Sequence, residues 1–533
     1  MRTVQSTGGM VTAPHALAAE SGARILTEGG NAIEAALAVA ATLTVVYPHM
    51  TGLGGDSFWL VAEPGRMPVT IDGAGRAGES VTAALYRSRG LKEIPWRGAL
   101  AANTVAGAVS AWDAAWDLSR QWGGQLTLER IFSQAIALAE RGFSVTTSHA
   151  DAANRCREAL EPVPGFRALH FIGAAPPTAG ATLKQPALAK TFSTLAREGL
   201  ASFYSGSLSR QIARELAHSG VPLGTADLEN QKATRGHPLR LALAQGELFN
   251  CGPPSQGLAS LLILGAYSRL PRAPCDSFAH VHGIVESTKL AFAVRDREIG
   301  HREHGTALER YLTQAALDEM AAHIDLHRAA PWQSGTDTGD TAWFGAIDAQ
   351  GRAVSAIQSL YFEFGSGIGL PESGFVWQNR GSAFRLSGAG PNVLAPRRKP
   401  FHTLNPAFAR LRDGRTMVYG AMGGDGQPQT QAAIFTRYAL CGQDLQDAIS
   451  APRWLLGRTW GESRSALRLE SRFPAQLLAD LEAAGHPVER VAAFDQIMGH
   501  AGAIVHSGTQ GFQGASDLRS DGAAIGALRE FRA

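Results

Sequence analysis

One stretch constrains this 533-residue chain more than any other, the run from Asp340 to Gly367. Within Gly339 to Asp348 and Gly351 to Gly367, two short runs of apolar, β-branched or aromatic residues flank an Asp-Ala-Gln-Gly turn, the pattern of a β-hairpin. The first strand opens on Thr341, directly after the small, polar and acidic residues Ser334 to Asp340. A cut before Thr341 would put a hydroxyl and an α-amine on one residue. The hydroxyl alone is a weak nucleophile at neutral pH, but an α-amine with a pKa of about 7.7–8.0 is partly unprotonated there and can act as its base, directly or through a water. By itself the hairpin favours the plainer reading, a threonine that merely begins a strand.

Glycine pairs supply the second clue. Gly54-Gly55 ahead of Asp56 and Gly423-Gly424 ahead of Asp425 invite comparison with phosphate loops. No Gly-x-x-x-x-Gly-Lys-Ser/Thr run is present, and a phosphate cradle wants amides or a lysine, not a carboxylate. Amides at Gly423 and Gly424 suit an oxyanion better, a contribution of about 2.7–4 kcal/mol per donor. Taken singly, either glycine fits a tight turn with positive φ as well.

The order and spacing of Asp340-Thr341, Gly365-Ser366-Gly367, Gly423-Gly424 and the run from Gly514 to Gly522 resemble the gamma-glutamyltransferase superfamily of N-terminal-nucleophile hydrolases. Gly29-Gly30-Asn31-Ala32 and the run from Tyr47 to Asp56 look like that family's opening signature, so the resemblance spans nearly the whole chain. It implies an α+β fold, a four-layer αββα sandwich, in an enzyme without cofactor or metal. It also implies autocleavage between Asp340 and Thr341, giving a large fragment 1–340 and a small fragment 341–533. These would stay together as a heterodimer in one structural domain, with room for a higher homo-oligomer. Thr341 would be the nucleophile, Ser359 a second hydroxyl that orients it, and Gly423 and Gly424 the oxyanion donors. Asp517 and Arg519 are expected to form a structural salt bridge.

Departures from the family pattern bear on substrate. True gamma-glutamyl enzymes hold the glutamate carboxylate with an Arg two positions after a strand-end Asp. Here Gly73-Ala74 follow Asp72, and Arg76 arrives two residues late. Tyr361 and Ala383 stand where that family holds the α-amine, and His402-Thr403 replace a serine pair. Losing the anion opposite an ammonium group is costly in a closed pocket. Together with Gln378 to Gly381 and Asp425 to Gln429, these residues look like the acylase and oxamate amidohydrolase branch. The expected substrate is therefore a short amide bearing a carboxylate, such as oxamate, held by Arg76, Tyr361, Arg380, His402 and Thr403. The alternative is a gamma-glutamyltransferase or glutathione hydrolase. An apolar acyl chain would instead call on Trp343, Phe364 and Phe401.

With 49 basic against 47 acidic residues the net charge is +2, so composition makes no case for nucleic acid or an anionic membrane. The apolar run Ala35 to Tyr47 is too short to span a bilayer and reads as a buried helix, with Asn31 and Glu34 as its capping pair. No apolar leader follows Met1, and a cytoplasmic location is expected. Cys156, Cys251, Cys275 and Cys441 lack paired spacing and read as buried thiols rather than a disulfide or zinc framework. His280, His282, His301 and His304 lack a metal-binding helix motif. Helices are expected around Ile131 to Leu138, ended by Arg141-Gly142, and around Thr191 to Ala196, stopping at Gly199, with a strand-like run from Leu239 to Asn250.

Overall fold

The computed structural model describes residues 2–302, 308–332, 340–457 and 466–528. Strand Asp340–Asp348 pairs antiparallel with Ala353–Tyr361, as the alternating apolar pattern requires. This hairpin is the centre of a seven-stranded antiparallel sheet. Gly9–Ala13 and Ala523–Gly526 extend it on one side, and Asp56–Ala62, Val69–Gly73 and Thr234–Gly236 on the other. A second seven-stranded sheet has Thr416–Ala421 at its middle, between Ala501–His506 and Ala407–Leu411.

Side chains alternate between the two faces of a strand, and that period sorts the core. Phe58, Leu60, Trp343, Ile347 and Ile357 of the first sheet cluster with Phe249, Phe408, Val418 and Ile504 of the second. The intervening Ala342, Phe344, Ala346, Val354 and Ala356 face helices Ala16–Thr27, Ala32–Val46 and Ala108–Gln121. Helices Gly257–Tyr267, Phe278–Glu298 and Gly426–Phe435 pack with Met417, Tyr419 and Ala503 of the second sheet. Trp343 bridges the sheets. A Cβ at Gly420 or Gly502 would stand 2.3 or 2.5 Å from its ring, so those strand positions accept only glycine.

Helix Ala32–Val46 is buried throughout, as a helix apolar on all sides should be. The Asn31 side chain accepts from the amides of Ile33 and Glu34 while Glu34 accepts from the Asn31 N–H, the expected capping box. Helices Leu128–Arg141 and Pro186–Glu198 end at Gly142 and Gly199, and Leu239 to Asn250 divides into a hairpin, Leu239–Leu243 with Gly246–Asn250. Among the described residues no helix is long and apolar enough to cross a membrane.

The cysteine expectation is overturned. Cys275 and Cys441, 166 residues apart, form a disulfide, because the turn before helix Phe278–Glu298 meets the end of the helical segment Thr436–Leu440. Local spacing cannot reveal so distant a pair. Disulfides persist mainly in oxidising compartments, which pulls against the cytoplasmic expectation. Cys156 and Cys251 are buried and take no part in that disulfide. His280 bonds Thr436 Oγ1 at 3.0 Å, and His301 Nδ1 accepts from the Lys399 N–H at 3.4 Å. His304, residues 334–339 and the side chain of Asp340 lie outside the described residues.

The expected salt bridge is part of a larger buried network. Arg519 places Nε and Nη2 on the two Glu470 oxygens, each at 2.7 Å, and Nη1 on Asp517 Oδ1 at 3.0 Å. Asp517 Oδ2 accepts from Ala501 N and pairs with Arg453 Nη2 at 2.6 Å. Burial opposes the charge of Asp517, yet Arg453 and Arg519 hold its carboxyl down to about 2. Removing one partner strands buried charge, so Asp517→Ala is expected to cost about 3–5 kcal/mol. A denaturant titration against wild type reads that loss as an earlier midpoint.

Candidate active site

Thr341 lies where the strand pairing slips. Asp340 faces Tyr361 but Ala342 faces Gln358, leaving Thr341 in a one-residue irregularity at the end of the strand. Its side chain is buried and turns toward the second sheet, where Gln427 Nε2 donates to Thr341 Oγ1 at 3.3 Å. Gln427 comes from the first turn of helix Gly426–Phe435, the helix that follows strand Thr416–Ala421. The site thus forms where the apolar filling between the sheets gives way to polar side chains.

Ser359 is one strand over, in register with Asp56. A Cβ on Gly55 would lie 2.2 Å from the Ser359 carbonyl oxygen, so Gly55 is what lets the strands approach here. Ser359 Oγ accepts from the Tyr361 N–H at 2.7 Å, and Tyr361 adopts φ 84°, a left-handed conformation uncommon for a bulky residue. That turn lays the Tyr361 ring against Arg380, whose guanidinium carbon is 3.5 Å from the ring centroid.

Arg380 is wholly buried. Its Nη2 donates to Thr403 Oγ1 at 3.1 Å and Nη1 to the Phe401 carbonyl at 3.2 Å, while Nε has no protein partner. Among the described residues no carboxylate lies within ion-pairing distance of it. Burial draws its pKa down to about 10, so it stays charged at neutral pH. His402 Nε2 meets Asp56 Oδ2 at 2.9 Å, and burial keeps that imidazole neutral, well below its ordinary range. Asp56 Oδ1 accepts from Gly75 N, Gly107 N and Gln378 Nε2 at 2.9, 3.0 and 2.9 Å. Burial pushes the Asp56 carboxyl up to about 7 against those bonds.

Gly423 and Gly424 both have positive φ, 113° and 53°, and among the described residues neither N–H donates to a protein acceptor. Their loop is held from behind. Gln256 Nε2 donates to the carbonyls of Gly424 and Thr403 at 3.0 and 2.8 Å, and Arg295 Nη1 bonds both Gln256 and Asp425. Two free backbone donors beside a buried hydroxyl are the parts that acyl transfer needs.

The structure brings Thr341, Ser359, Tyr361, Arg380, His402, Thr403 and the glycine pair onto adjoining strand ends and loops. Arg76 is elsewhere. It donates to the Arg397 carbonyl at 2.9 Å and lines a different cleft, and no described bond joins it to Arg380 or Thr403. A cleft of about 380 Å³ is lined by Trp96 and by Ser382 and Phe401, which are close chain neighbours of Arg380 and His402. Sequence reading assigned no role to Asp56, Gln256 or Gln427, since nothing local marks which buried amide or carboxylate reaches a distant loop. Of possible metal ligands, His282, Glu286 and His486 converge, but Lys289 Nζ already sits 2.7 Å from Glu286 Oε1.

Residues 18–527 match the family model for gamma-glutamyltranspeptidase. The chain is 51% identical over 523 residues to the oxamate amidohydrolase proenzyme of Klebsiella pneumoniae subsp. pneumoniae, covering 98% of this chain and 99% of that protein. It is 38% identical to the glutathione hydrolase-like YwrD proenzyme of Bacillus subtilis, covering 98% and 99%. The crystal structure of cephalosporin acylase from Bacillus halodurans superposes with a TM-score of 0.90 at 29% identity, covering 99% and 98%.

Behind the site lies a group of buried histidines. His49 and His149 stack with centroids 5.0 Å apart, His170 meets the Phe364 ring edge-on at 4.8 Å, and Tyr47 OH bonds His500 Nδ1 at 3.0 Å. The carbonyls of His49 and His500 accept from the N–H groups of Phe364 and Met422, which flank the site loops. Burial lowers His15, His149 and His500 to about 4 and His170 to about 3, with His49 also well below its usual value. An unfolded histidine titrates near 6.5, so the unfolded chain binds more protons as pH falls. The stability these groups contribute is present above about 6.5 and lost as pH drops toward 4. Asp56 acts in the opposite sense, its contribution being lost as pH rises through about 7. Because histidines lowered by burial outnumber the carboxyls raised by it, the thermal midpoint is expected to fall steeply between pH 6.5 and 4. His149→Phe should flatten that slope.

Proposed function

The chain belongs to the gamma-glutamyltranspeptidase family, and from that membership we propose that it is a self-processing amidohydrolase acting on a short amide that carries a carboxylate, with oxamate as the simplest case. Its two sheets and their flanking helices would form the four-layer αββα sandwich of an N-terminal-nucleophile hydrolase. In the precursor, Thr341 Oγ1 attacks the Asp340 carbonyl and the peptide C–N bond breaks, which frees the Thr341 amine as an ester forms; water then cleaves that ester, releasing the Asp340 carboxylate and restoring the Thr341 hydroxyl. That step divides the chain into fragments 1–340 and 341–533. They stay together because the first sheet takes strands from both sides of the cut.

In the mature enzyme the α-amine takes the proton from Oγ1, directly or through a water, as Oγ1 attacks the substrate amide. Gln427 and Ser359 fix the hydroxyl. The amides of Gly423 and Gly424 receive the developing oxyanion, and the protonated amine returns its proton to the departing nitrogen. A water then attacks the acyl-enzyme, giving an acid and restoring Thr341.

The observation that carries the substrate class is Arg380, a fully buried guanidinium that among the described residues has no contacting carboxylate and an unpartnered Nε. An isolated buried charge is costly, and a ligand carboxylate relieves that cost while using the guanidinium fork. Tyr361 flattens the space over Arg380, and Thr403 and His402 fix its edge. The likeness to an oxamate amidohydrolase supports the same reading. The likeness to a glutathione hydrolase-like protein favours gamma-glutamyl amides as a second reading, but Tyr361 and Ala383 provide no anion for an α-ammonium group.

Two measurements test this. Intact mass of purified wild type is expected to give fragments ending and beginning at Asp340 and Thr341, whereas Thr341→Ala should remain one chain and be inactive; an intact yet active wild type would overturn the mechanism. Ammonia release from oxamate should exceed turnover of a gamma-glutamyl anilide. Arg380→Gln should raise KM for oxamate by about 30-fold or more, the loss expected when a buried charge pair worth at least about 2 kcal/mol is broken.

A further inference from the structure

Arg76 draws attention to a second cleft, of about 660 Å³, that the proposed reaction leaves unused. Its lining includes six permanently charged side chains, Arg76, Arg235, Arg302, Arg397, Arg398 and Lys399, against one carboxylate, Asp72. Lys399 Nζ already neutralises Asp72 at 2.6 Å. Arg235 pairs with Asp117 at 3.2 Å, Arg302 with Glu298 at 2.8 Å, and Arg397 with Glu79. Arg76 and Arg398 differ: each donates to a main-chain carbonyl, of Arg397 at 2.9 Å and of Val393 at 3.2 Å, and among the described residues neither meets a carboxylate. A carbonyl satisfies one N–H of five and leaves the charge uncompensated.

This charge is local, since the whole chain carries only +2. It is also preorganised. Ala77 N donates to the Arg398 carbonyl at 2.8 Å and Arg397 N to the Ala77 carbonyl at 2.9 Å, so the two arginine-bearing segments are stitched together reciprocally. Val105 N holds the Arg76 carbonyl at 2.9 Å, and a Cβ on Gly75 would stand 1.6 Å from the Val105 carbonyl oxygen, which pins the turn ahead of Arg76. Binding here would order little backbone, which lowers its entropic cost. The volume suits one small molecule, and a pair of guanidinium forks suits oxyanions.

We propose that this cleft is a binding site, separate from Thr341, for a small polyanion with carboxylate or phosphate oxygens, held by Arg76 and Arg398. It does not depend on which amide the enzyme hydrolyses. Phe58 forms part of the cleft wall and meets the His402 ring at 4.8 Å, so the two sites share a partition without sharing their charged groups.

Isothermal titration of the wild-type protein at low ionic strength, with inorganic phosphate and with citrate as probes, tests the proposal. At least one probe is expected to bind saturably at one equivalent, and the tighter of the two identifies the oxyanion. Arg76→Gln with Arg398→Gln should weaken that binding by about tenfold or more, as loss of two charge-assisted contacts requires, while Arg380→Gln leaves it unchanged. Arg398→Glu, at a half-exposed position, gives the same readout should the double variant fold poorly. Absence of saturable binding below about 10 mM overturns the site. So does binding that disappears in Arg380→Gln and survives in the double variant, because the anion would then occupy the Thr341 site.

Discussion

A buried carboxyl, Asp56, ties together the chain segments on one side of the candidate site. Its two oxygens receive the amides of Gly75 and Gly107, the side chain of Gln378 and the ring of His402, groups from four separate chain segments. Burial alone would leave such a group neutral, and its titration does move up to about 7. Four donors and the nearby Arg380 charge work the other way, so the carboxylate and its partners hold one another in place. Because Asp56 is in register with Ser359, the same contacts fix the strand end beside Thr341.

The opposite half rests on a second network, in which Arg295 holds Gln256 and Asp425 and Gln256 holds the carbonyls of Thr403 and Gly424. The two halves belong to different sheets, and the apolar cluster between those sheets sets their separation. Trp343 is central to that spacing, since its ring occupies the room left by two glycines on the facing strands. The geometry around Thr341 is therefore a product of core packing two residues away. Close-packed interiors relax little, which is why such a site can hold a hydroxyl and two free amides in fixed relation.

Cations are hosted in two different ways. Arg380 is buried against Tyr361 and among the described residues meets no acid, a costly arrangement that a ligand carboxylate would relieve. In the neighbouring cleft, Arg76 and Arg398 keep their charge at a solvent-accessible wall, where water screens it and the local cost is small. Arg76 and Arg380, grouped together by the family resemblance, thus sit in different surroundings, one at a cleft wall and one fully buried.

Much was legible in the sequence. The β-hairpin from Asp340 to Tyr361, the Asn31–Glu34 capping box, the buried helix Ala32–Val46 and the helix ends at Gly142 and Gly199 all follow from local pattern, because side-chain period and capping act within a few residues. The family resemblance drew together Thr341, Ser359 and the two glycines for the same reason, each lying inside a short motif. What local pattern could not supply were contacts between segments hundreds of residues apart. These include the Cys275–Cys441 bond, the reach of Gln427 to Thr341, the four donors on Asp56, and the pairing of Ala77 with Arg397 and Arg398 that turns Arg76 away from Arg380. The sequence by itself determined which residues would be strands, helices and reactive groups. Only the tertiary structure decided which reactive groups meet, because long-range packing, not local preference, brings one strand end against one loop.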